Sequence, residues 1–264
     1  MKITCIGAGN VAYHLTLALE KVGHSIIEIY SRTKSKALHL STMMYNAQAT
    51  DSLDFADSSA ELFILAVSDD ALEDVCSKIV LPENAIVVHT SGTRPLDDLI
   101  RLMDIHHDLP VRCGVFYPLM TFTMGKRIEM SEVPFCIEAN EKLAENQLVK
   151  IAQQLSNTVY LVSSEERQVL HVAAVFACNF TNHLLALAKE IVDSEDLEFD
   201  LLKPLIKETI KKAMVSEHPA NGQTGPAIRG DQSTINKHLA YLSTNTDLTK
   251  VYQTLSNSIQ YWKQ

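Results

Sequence analysis

Apolar and polar positions follow two different periods in the first part of the chain, to about residue 160. Short continuous apolar runs, typical of strands buried on both faces, fall at residues 2–6, 24–30, 62–67, 85–89, 111–115, 134–139 and 158–162. Stretches with apolar residues at helical spacing separate these runs. This alternation predicts an α/β fold with a doubly wound parallel sheet.

After residue 163 the strand-like runs stop and the spacing becomes helical throughout. Helices are predicted over 163–192, 200–215, 233–242 and 247–262. The first is apolar on almost every side from Val169 to Ala188, so it requires burial on every side. We therefore expect a homodimer formed through an all-helical C-terminal domain.

A glycine turn directly follows the first predicted strand and opens the first helix. Its residues are Gly7, Ala8, Gly9, Asn10, Val11 and Ala12. Strand, glycine turn and helix together form the dinucleotide-binding fingerprint, with an alanine at the third glycine position. We predict a Rossmann-like domain over residues 1–162 and a helical domain, for dimerisation and substrate binding, over residues 163–264.

The end of the second strand indicates which dinucleotide binds. Ser31, Arg32 and Thr33 follow the strand, and the nearest acid, Glu28, lies two residues inside it. An arginine at this point accommodates the 2′-phosphate of NADP, whereas NAD sites have a carboxylate there. The sequence favours NADP, with a solvated loop arginine as the alternative interpretation of Arg32.

Other polar residues follow later strands, at the edge where ligands of open α/β sheets bind. Val67 and Ser68 are predicted to line the cofactor, although Ser68 alternatively only caps a helix. The predicted residues near the nicotinamide and substrate are Thr90, Ser91, Gly92 and Tyr117, with Ser91 also a catalytic candidate. The segment 116–122 is predicted as a buried loop or a pocket wall.

The helical half supplies further candidates for chemistry. His171 is the candidate general acid for carbonyl or imine reduction, and the alternative is a histidine that only packs. Asn179 and the loop residues Thr224 and Gly225 are assigned to substrate, and Arg229 to holding substrate charge. Alternatively, the 224–231 loop is only a surface turn.

Composition excludes several classes of partner. The net charge of −9, without a basic block, argues against nucleic acid, and the five scattered cysteines argue against a disulfide framework or a metal site. The polar residues within 169–188 argue against a membrane span, and the N-terminus lacks a signal-peptide pattern. We expect a cytoplasmic protein that acts on a small molecule.

Several of these motifs resemble known families. The glycine turn, Ser31-Arg32-Thr33 and Leu65-Ala66-Val67 resemble pyrroline-5-carboxylate reductases and deazaflavin-dependent NADP oxidoreductases. The segments at 89–92, 117–122, 173–177 and 224–231 resemble a bacterial family that pairs a Rossmann-like domain with a helical domain of unknown function, of the DUF2520 type. This resemblance implies a two-domain subunit that dimerises through helices, and it supplies no substrate.

The chain departs from its relatives at two positions. Tyr117 stands where relatives often have a histidine, and Val175 stands where related hydroxyacid dehydrogenases carry a lysine, four residues before Asn179. The leading hypothesis is an NADP-dependent oxidoreductase that reduces a small carbonyl or imine in the interdomain cleft. The alternative is a non-catalytic NADP-binding sensor or scaffold, which the missing lysine favours.

Overall fold

The computed structural model describes residues 1–262, and its first part is built on one eight-stranded sheet. The strands are β1 (Lys2–Ile6), β2 (Ser25–Tyr30), β3 (Gln48–Thr50), β4 (Leu62–Leu65), β5 (Ile86–His89), β6 (Arg112–Pro118), β7 (Phe135–Ala139) and β8 (Val159–Leu161). Their spatial order is β3-β2-β1-β4-β5-β6-β7-β8. The chain therefore starts in the interior of the sheet and builds outward in both directions, as predicted for a doubly wound fold.

Five helices flank the sheet. They are α1 (Asn10–Lys21), α2 (Lys34–Ser41), α3 (Leu72–Cys76), α4 (Leu96–His106) and α5 (Lys142–Leu155). One buried apolar cluster gathers residues of α1, α2 and α5, and a second gathers residues of α3 and α4. Strand β1 contributes to both, through Ile3 and Cys5 to the first and Ile6 to the second. A strand buried on both faces explains why the β1 sequence lacks polar alternation.

The prediction that all strands are parallel is wrong at one pair. Strands β1 to β6 pair in parallel, but β7 is antiparallel to β6, and β8 is parallel to β7. The connection from β6 to β7 contains one short 3₁₀ turn, Met130–Glu132, and no crossover helix. Without a crossover helix to carry the chain back along the sheet, the next strand runs in the opposite direction.

Three element boundaries also differ from prediction. Strand β6 continues to Pro118, so Phe116 and Tyr117 belong to the strand and not to a loop. The helix expected after Ser68 divides into a 3₁₀ turn, Asp69–Ala71, and the short helix α3. Strand β4 ends at Leu65, which leaves Val67 outside the strand.

One helical segment runs continuously from Ser164 to Asp193. It comprises α6 (Ser164–Ala174), a π-helical stretch at Val175–Phe180, and α7 (Thr181–Asp193). Ser163 begins it with a capping box, in which its hydroxyl accepts from the Glu166 N–H and the Glu166 carboxylate accepts from the Ser163 N–H. A serine followed three residues later by a glutamate is the sequence signature of such a cap.

Contacts divide the described chain into two compact units, and the second begins at Phe176. Its helices after α7 are α8 (Lys203–Val215), α9 (Pro226–Arg229), α10 (Gln232–Leu242) and α11 (Thr246–Tyr261). Among residues 176–262 no strand is described. The predicted domain boundary at 162/163 follows the end of the sheet at Leu161, and it stays a prediction because the contacts divide the chain after Val175.

The long helical segment is exposed where it is apolar. Its side chains Val169, Val172, Phe176 and Phe180 are 69%, 50%, 65% and 48% exposed. The segment is long and apolar enough to resemble a membrane-spanning helix by length and composition only, as are the core helices of some soluble proteins.

Candidate functional site

The glycine turn after β1 packs against the end of β4. Gly7 has a φ of +119°, a conformation that L side chains rarely adopt, and its N–H donates to the Tyr30 carbonyl at 2.8 Å. A Cβ added to Gly7 would lie 2.2 Å from the carbonyl oxygen of Ala66. Both the backbone conformation and the backbone contact therefore require glycine at this position.

Gly9 differs from Gly7, because the packing of the protein itself does not require glycine there. It is the N-cap of α1 in an ordinary extended conformation, and a Cβ added there would have no atom within 4 Å. The space in front of the first turn of α1 is open, and the first N–H groups of a helix have no partners within it. These are the features of a pyrophosphate site, with Ala8 and Val11 on either side of the turn.

The Asn10 side chain already has a structural partner. Its Oδ1 accepts from the Met124 N–H at 3.0 Å, and His14, one turn further along α1, contacts the Thr123 carbonyl through Nε2 at 2.9 Å. The loop after β6 is thereby fastened to α1. The Asn10 side chain therefore holds the loop, and a role of Asn10 in cofactor binding stays a prediction.

The end of β2 carries an exposed polar turn. Arg32 and Thr33 are exposed and Ser31 is half-buried, and the Ser31 hydroxyl accepts from the Thr33 N–H at 3.3 Å. Glu28 accepts hydrogen bonds from the Thr4 and Ser58 hydroxyls, so its carboxylate is satisfied inside the protein. No acidic residue lies beside Arg32 between the end of β2 at Tyr30 and Thr33.

The ends of β4 and β5 supply the next predicted residues. Val67 is half-buried, and Ser68 is the exposed N-cap of the 3₁₀ turn, without a hydrogen bond from its side chain to that turn. Thr90 is half-buried and its N–H donates to the Leu65 carbonyl at 3.3 Å. Val67 and Ser68 follow β4, and Thr90 follows β5. All three therefore lie at the edge of the sheet where the ligand is predicted to bind.

The Ser91 hydroxyl stabilises its own turn. It accepts from the N–H groups of Thr93 and Arg94 at 3.1 and 3.0 Å. The Ser91 N–H in turn donates to Nδ1 of His89 at 3.2 Å. These contacts shape the loop that precedes α4, and a catalytic role for Ser91 stays a prediction.

His89 is a buried histidine at the end of β5. It is 1% exposed, and burial, reinforced by the nearby Arg167 charge, lowers its pKa to about 4. His89 therefore remains neutral near pH 7. That neutral state leaves Nδ1 able to accept the hydrogen bond from Ser91.

His171, Tyr117 and Gly92 meet in one place. The Tyr117 hydroxyl, near the end of β6, lies 3.2 Å from Nδ1 of His171 on α6. A Cβ added to Gly92 would lie 2.4 Å from the same Nδ1 and 3.0 Å from the Tyr117 ring. Gly92 thus provides the space in which the imidazole sits. Burial raises the pKa of the Tyr117 hydroxyl, with a partial offset from the Arg167 charge.

The other residues predicted from the helical half, apart from His171, lie in the second unit. Gly225, with a φ of +107°, is the N-cap of α9, and Thr224 and Arg229 at either end of that short helix are exposed. Asp231 caps α10 by accepting from the Thr234 N–H and hydroxyl, contacts that lower its pKa. Asn179 is exposed within the π-helical stretch. The substrate and catalytic roles of these residues stay predictions.

The burial of Arg167, one helical turn before His171, was not predicted from the sequence. Arg167 is fully buried and forms an ion pair with Glu138 of β7, with Nη1 and Oε2 2.5 Å apart. Glu138 is a charged residue in an otherwise apolar strand, and Arg167 precedes His171 by one helical turn. These two facts were available from the sequence, but the pairing required the fold.

Metal chemistry has no evident protein site here. Within residues 1–262 no group of three or more histidine, cysteine, aspartate or glutamate side chains is arranged to hold a metal ion. All five cysteines are free: Cys178 is exposed and the others are buried.

The chain matches two protein families and several solved structures. Residues 2–92 match a family described as NADP oxidoreductase, coenzyme F420-dependent, and residues 133–259 match a domain of unknown function, DUF2520. A solved structure from Bacteroides fragilis, provisionally described as an NADP oxidoreductase, is 38% identical, with 98% of each chain covered and a TM-score of 0.85. No curated protein matches the chain.

The chain belongs to the NADP oxidoreductase family in which a Rossmann domain precedes a DUF2520 domain. It is a pyridine-nucleotide oxidoreductase of that family, and the expectation of NADP as cofactor is confirmed. The glycine turn and the open start of α1 fit that cofactor.

Two more distant structures share the fold. A reductive aminase from Aspergillus terreus, in complex with NADPH and ethyl-5-oxohexanoate, is 13% identical, with 97% of this chain and 94% of that chain covered and a TM-score of 0.69. A 1-pyrroline-5-carboxylate reductase from Streptococcus pyogenes is 12% identical, with coverage of 99% and 98% and a TM-score of 0.60. At these identities the likeness concerns the fold alone.

Replacing Gly9 with valine should remove cofactor binding and leave the fold intact. An added Cβ meets no protein atom within 4 Å, and the side chain should occupy the space where the backbone is predicted to approach the pyrophosphate. We expect NADPH affinity to fall at least about tenfold, or roughly 1.4 kcal/mol, in calorimetry.

Gly7→Ala is the contrasting variant and should lower the melting temperature, since its Cβ meets the Ala66 carbonyl. Unchanged affinity in Gly9→Val would refute the site.

His89 should make the protein less stable as the pH falls. Its pKa is lowered from 6.5 to about 4 in the folded state, so the unfolded state binds more protons between these values. Stability should therefore decline as the pH drops from 6.5 towards 4, by roughly 3 kcal/mol at about 1.4 kcal/mol per pKa unit. Urea unfolding of wild type and His89→Asn across this range measures the difference. Parallel pH profiles of the two proteins would show that His89 does not titrate in this way.

Proposed function

We propose that the protein is an NADPH-dependent reductase of a small carbonyl or imine, with His171 and Tyr117 supplying the proton. The observation that carries this proposal is the 3.2 Å contact between the Tyr117 hydroxyl and Nδ1 of His171, next to Gly92. It joins two proton-bearing side chains at the sheet edge where ligands of α/β folds bind.

When bound, NADPH supplies the hydride that adds to the carbon of the substrate. The glycine turn and the first N–H groups of α1 hold the pyrophosphate, and Ser31, Arg32 and Thr33 surround the 2′-phosphate. Val67 and Ser68 line the ribose side. The protein must then deliver one proton to the oxygen or nitrogen that takes up the electron pair.

The hydrogen bond between Tyr117 and His171 orients that proton. If the Tyr117 hydroxyl donates to Nδ1, the imidazole carries its own proton on Nε2. When Nε2 gives this proton to the substrate, Nδ1 takes the hydroxyl proton of Tyr117, and the tyrosinate is then reprotonated from water. Burial of Tyr117 keeps its hydroxyl protonated and able to serve as the donor in this hydrogen bond. Thr90 and the Ser91 turn border the same space. The remaining proposed parts of the substrate site are Asn179, Thr224, Gly225, Arg229 and the cleft between the domains.

The rival proposal is a non-catalytic NADP-binding sensor or scaffold. The specific observation in its favour is Val175, which stands where related hydroxyacid dehydrogenases have a lysine. The cofactor features are common to both proposals, so only turnover separates them.

A screen of keto acids, imines and deazaflavin, followed by nicotinamide absorbance, tests the reductase. His171→Asn should lower kcat by about 100-fold or more, and Tyr117→Phe by less, because general acid catalysis contributes roughly 100-fold to 10,000-fold. His183→Asn is the matched control, since His183 is an exposed histidine of the same long helical segment. NADPH binding without turnover of any substrate class would favour the sensor.

NADP should bind more tightly than NAD because of Arg32. A charge-assisted hydrogen bond to the 2′-phosphate contributes about 1.5–3 kcal/mol, which is tenfold or more in affinity. Arg32→Ala should remove most of this preference, whereas Arg101→Ala, which alters an exposed arginine on α4, should retain it. Calorimetry with both cofactors gives the comparison. Equal affinities in the wild type would contradict the proposed role of Arg32.

We also propose that two copies pair through the long helical segment. The exposed stripe Val169, Val172, Phe176 and Phe180 follows helical spacing and is the kind of apolar surface that a second copy covers. Light scattering at micromolar concentration should give a dimer mass. Val172→Glu should shift it to a monomer, and Tyr45→Glu, at a residue 88% exposed outside this segment, should not. A monomeric wild type, or one that sediments with lipid vesicles, would refute the dimer.

A further inference from the structure

Arg167 is a fully buried charge in a unit whose other arginines and lysines reach solvent. It lies on α6, four residues after the N-cap Ser163. Its Nη1 donates to Oε2 of Glu138 at 2.5 Å, and its Nη2 donates to the Arg94 carbonyl at 2.5 Å. One side chain therefore connects α6 to strand β7 and to the loop that precedes α4.

Ser164 completes the same connection. Its hydroxyl donates to Oε2 of Glu138 at 2.8 Å, and its N–H donates to Oε1 at 3.1 Å. The hydroxyl oxygen also accepts from the Leu96 N–H at 2.9 Å and from Nη2 of Arg167 at 3.2 Å. The first turn of α6 is thus fixed to two neighbouring elements through directional bonds.

Stability alone is a poor explanation for this group. Desolvating two charges offsets most of their attraction, and well-packed apolar side chains are often at least as stabilising at such positions. What apolar packing does not provide is orientation, because dispersion contacts tolerate small rotations and shifts. A forked guanidinium with two acceptors fixes both the depth and the rotation of the helix that carries it.

His171 is the residue that benefits from this fixed helix. It follows Arg167 by four residues and therefore lies on the same face of α6. The imidazole is confined on both sides, because a Cβ on Gly92 would lie 2.4 Å from Nδ1 and the Tyr117 hydroxyl lies 3.2 Å from it. A small displacement of α6 would break the contact with Tyr117, and displacements of about 1 Å are enough to reduce catalysis strongly.

The charge of Arg167 acts on the same neighbourhood. Together with burial it keeps the pKa of His89 near 4, so His89 stays neutral beside the site. It also partly offsets the rise that burial causes in the pKa of Tyr117. These effects follow from the buried position of the Arg167 guanidinium, which contacts β7 and the loop that precedes α4.

We propose that Arg167, held by Glu138, is the positioning residue of the proton donor and sets the His171 ring against Tyr117 next to Gly92. The proposal rests on the proposed reductase function for its catalytic meaning. Its structural content, the dependence of the His171–Tyr117 contact on Arg167, is independent of any substrate.

The first test needs no substrate. In full-length protein with labelled histidine, the nuclear Overhauser cross-peak between the His171 and Tyr117 rings reports their contact, and His171→Asn assigns it. Arg167→Met should abolish the cross-peak and Arg167→Lys should retain a weakened one, because lysine keeps the charge but lacks the fork. Arg112→Met is the matched control: it removes the Arg112–Glu141 ion pair at the opposite end of β6 and should leave the cross-peak intact.

Glu138→Gln keeps the experiment decisive if Arg167→Met does not fold. Glutamine retains the size and one acceptor oxygen but removes the charge, so the cross-peak should weaken while the fold persists. A normal cross-peak in a folded Arg167→Met or Glu138→Gln protein with a reduced melting temperature would show that Arg167 only stabilises the protein. That result would overturn the proposal.

The second test uses turnover with the best substrate from the NADPH screen. Arg167→Met should lower kcat at least tenfold and leave KM for NADPH within about twofold of wild type, and Arg167→Lys should recover part of kcat. An equal kcat in Arg167→Met would overturn the proposal. If the wild type turns over no substrate while the cross-peak behaves as expected, the reductase function fails and the positioning role of Arg167 stands.

Discussion

The structure depends first on the close approach of the Gly7 turn to the end of β4. Strand order reverses between β1 and β4, and the turn after β1 passes so near the Ala66 carbonyl that a single methyl group would overlap it. This contact aligns the start of α1 with the ends of the central strands. An anion at the first turn of α1 is therefore beside the loops that follow β4 and β5, which is the arrangement that a dinucleotide requires.

Polar contacts brace the first unit on both sides of strand β6. On the cofactor side, Asn10 and His14 fasten the loop after β6 to α1. On the other side, Arg167 and Glu138 fasten α6 to β7. Strand β6 lies between them and carries Tyr117 one residue before its end, so Tyr117 stands on an element that is braced from both directions. Rigid support of this kind holds reacting groups within the small tolerances that catalysis needs.

Some polar residues that looked chemical have structural partners. The hydroxyl of Ser91 caps its own turn, the carboxylate of Glu28 is satisfied by Thr4 and Ser58, and the Asn10 side chain holds a loop. By contrast, the Tyr117 hydroxyl and the imidazole of His171 come from distant parts of the chain and meet each other. A contact between two titratable groups at a ligand edge is a better indicator of chemistry than a polar residue at a strand end.

The sequence by itself determined the Rossmann-like fold, the glycine turn, the helical second half and the NADP cofactor, because each is encoded by local periodicity or by a short motif. The tertiary structure alone decided that β7 runs antiparallel, since the sequence predicted a loop or pocket wall after β6 but not the direction of the strand that follows. It also brought together Gly92, Tyr117 and His171, and paired Arg167 with Glu138. These residues are separated by many positions along the chain, and no local pattern specifies which distant side chains a folded sheet brings within hydrogen-bonding distance.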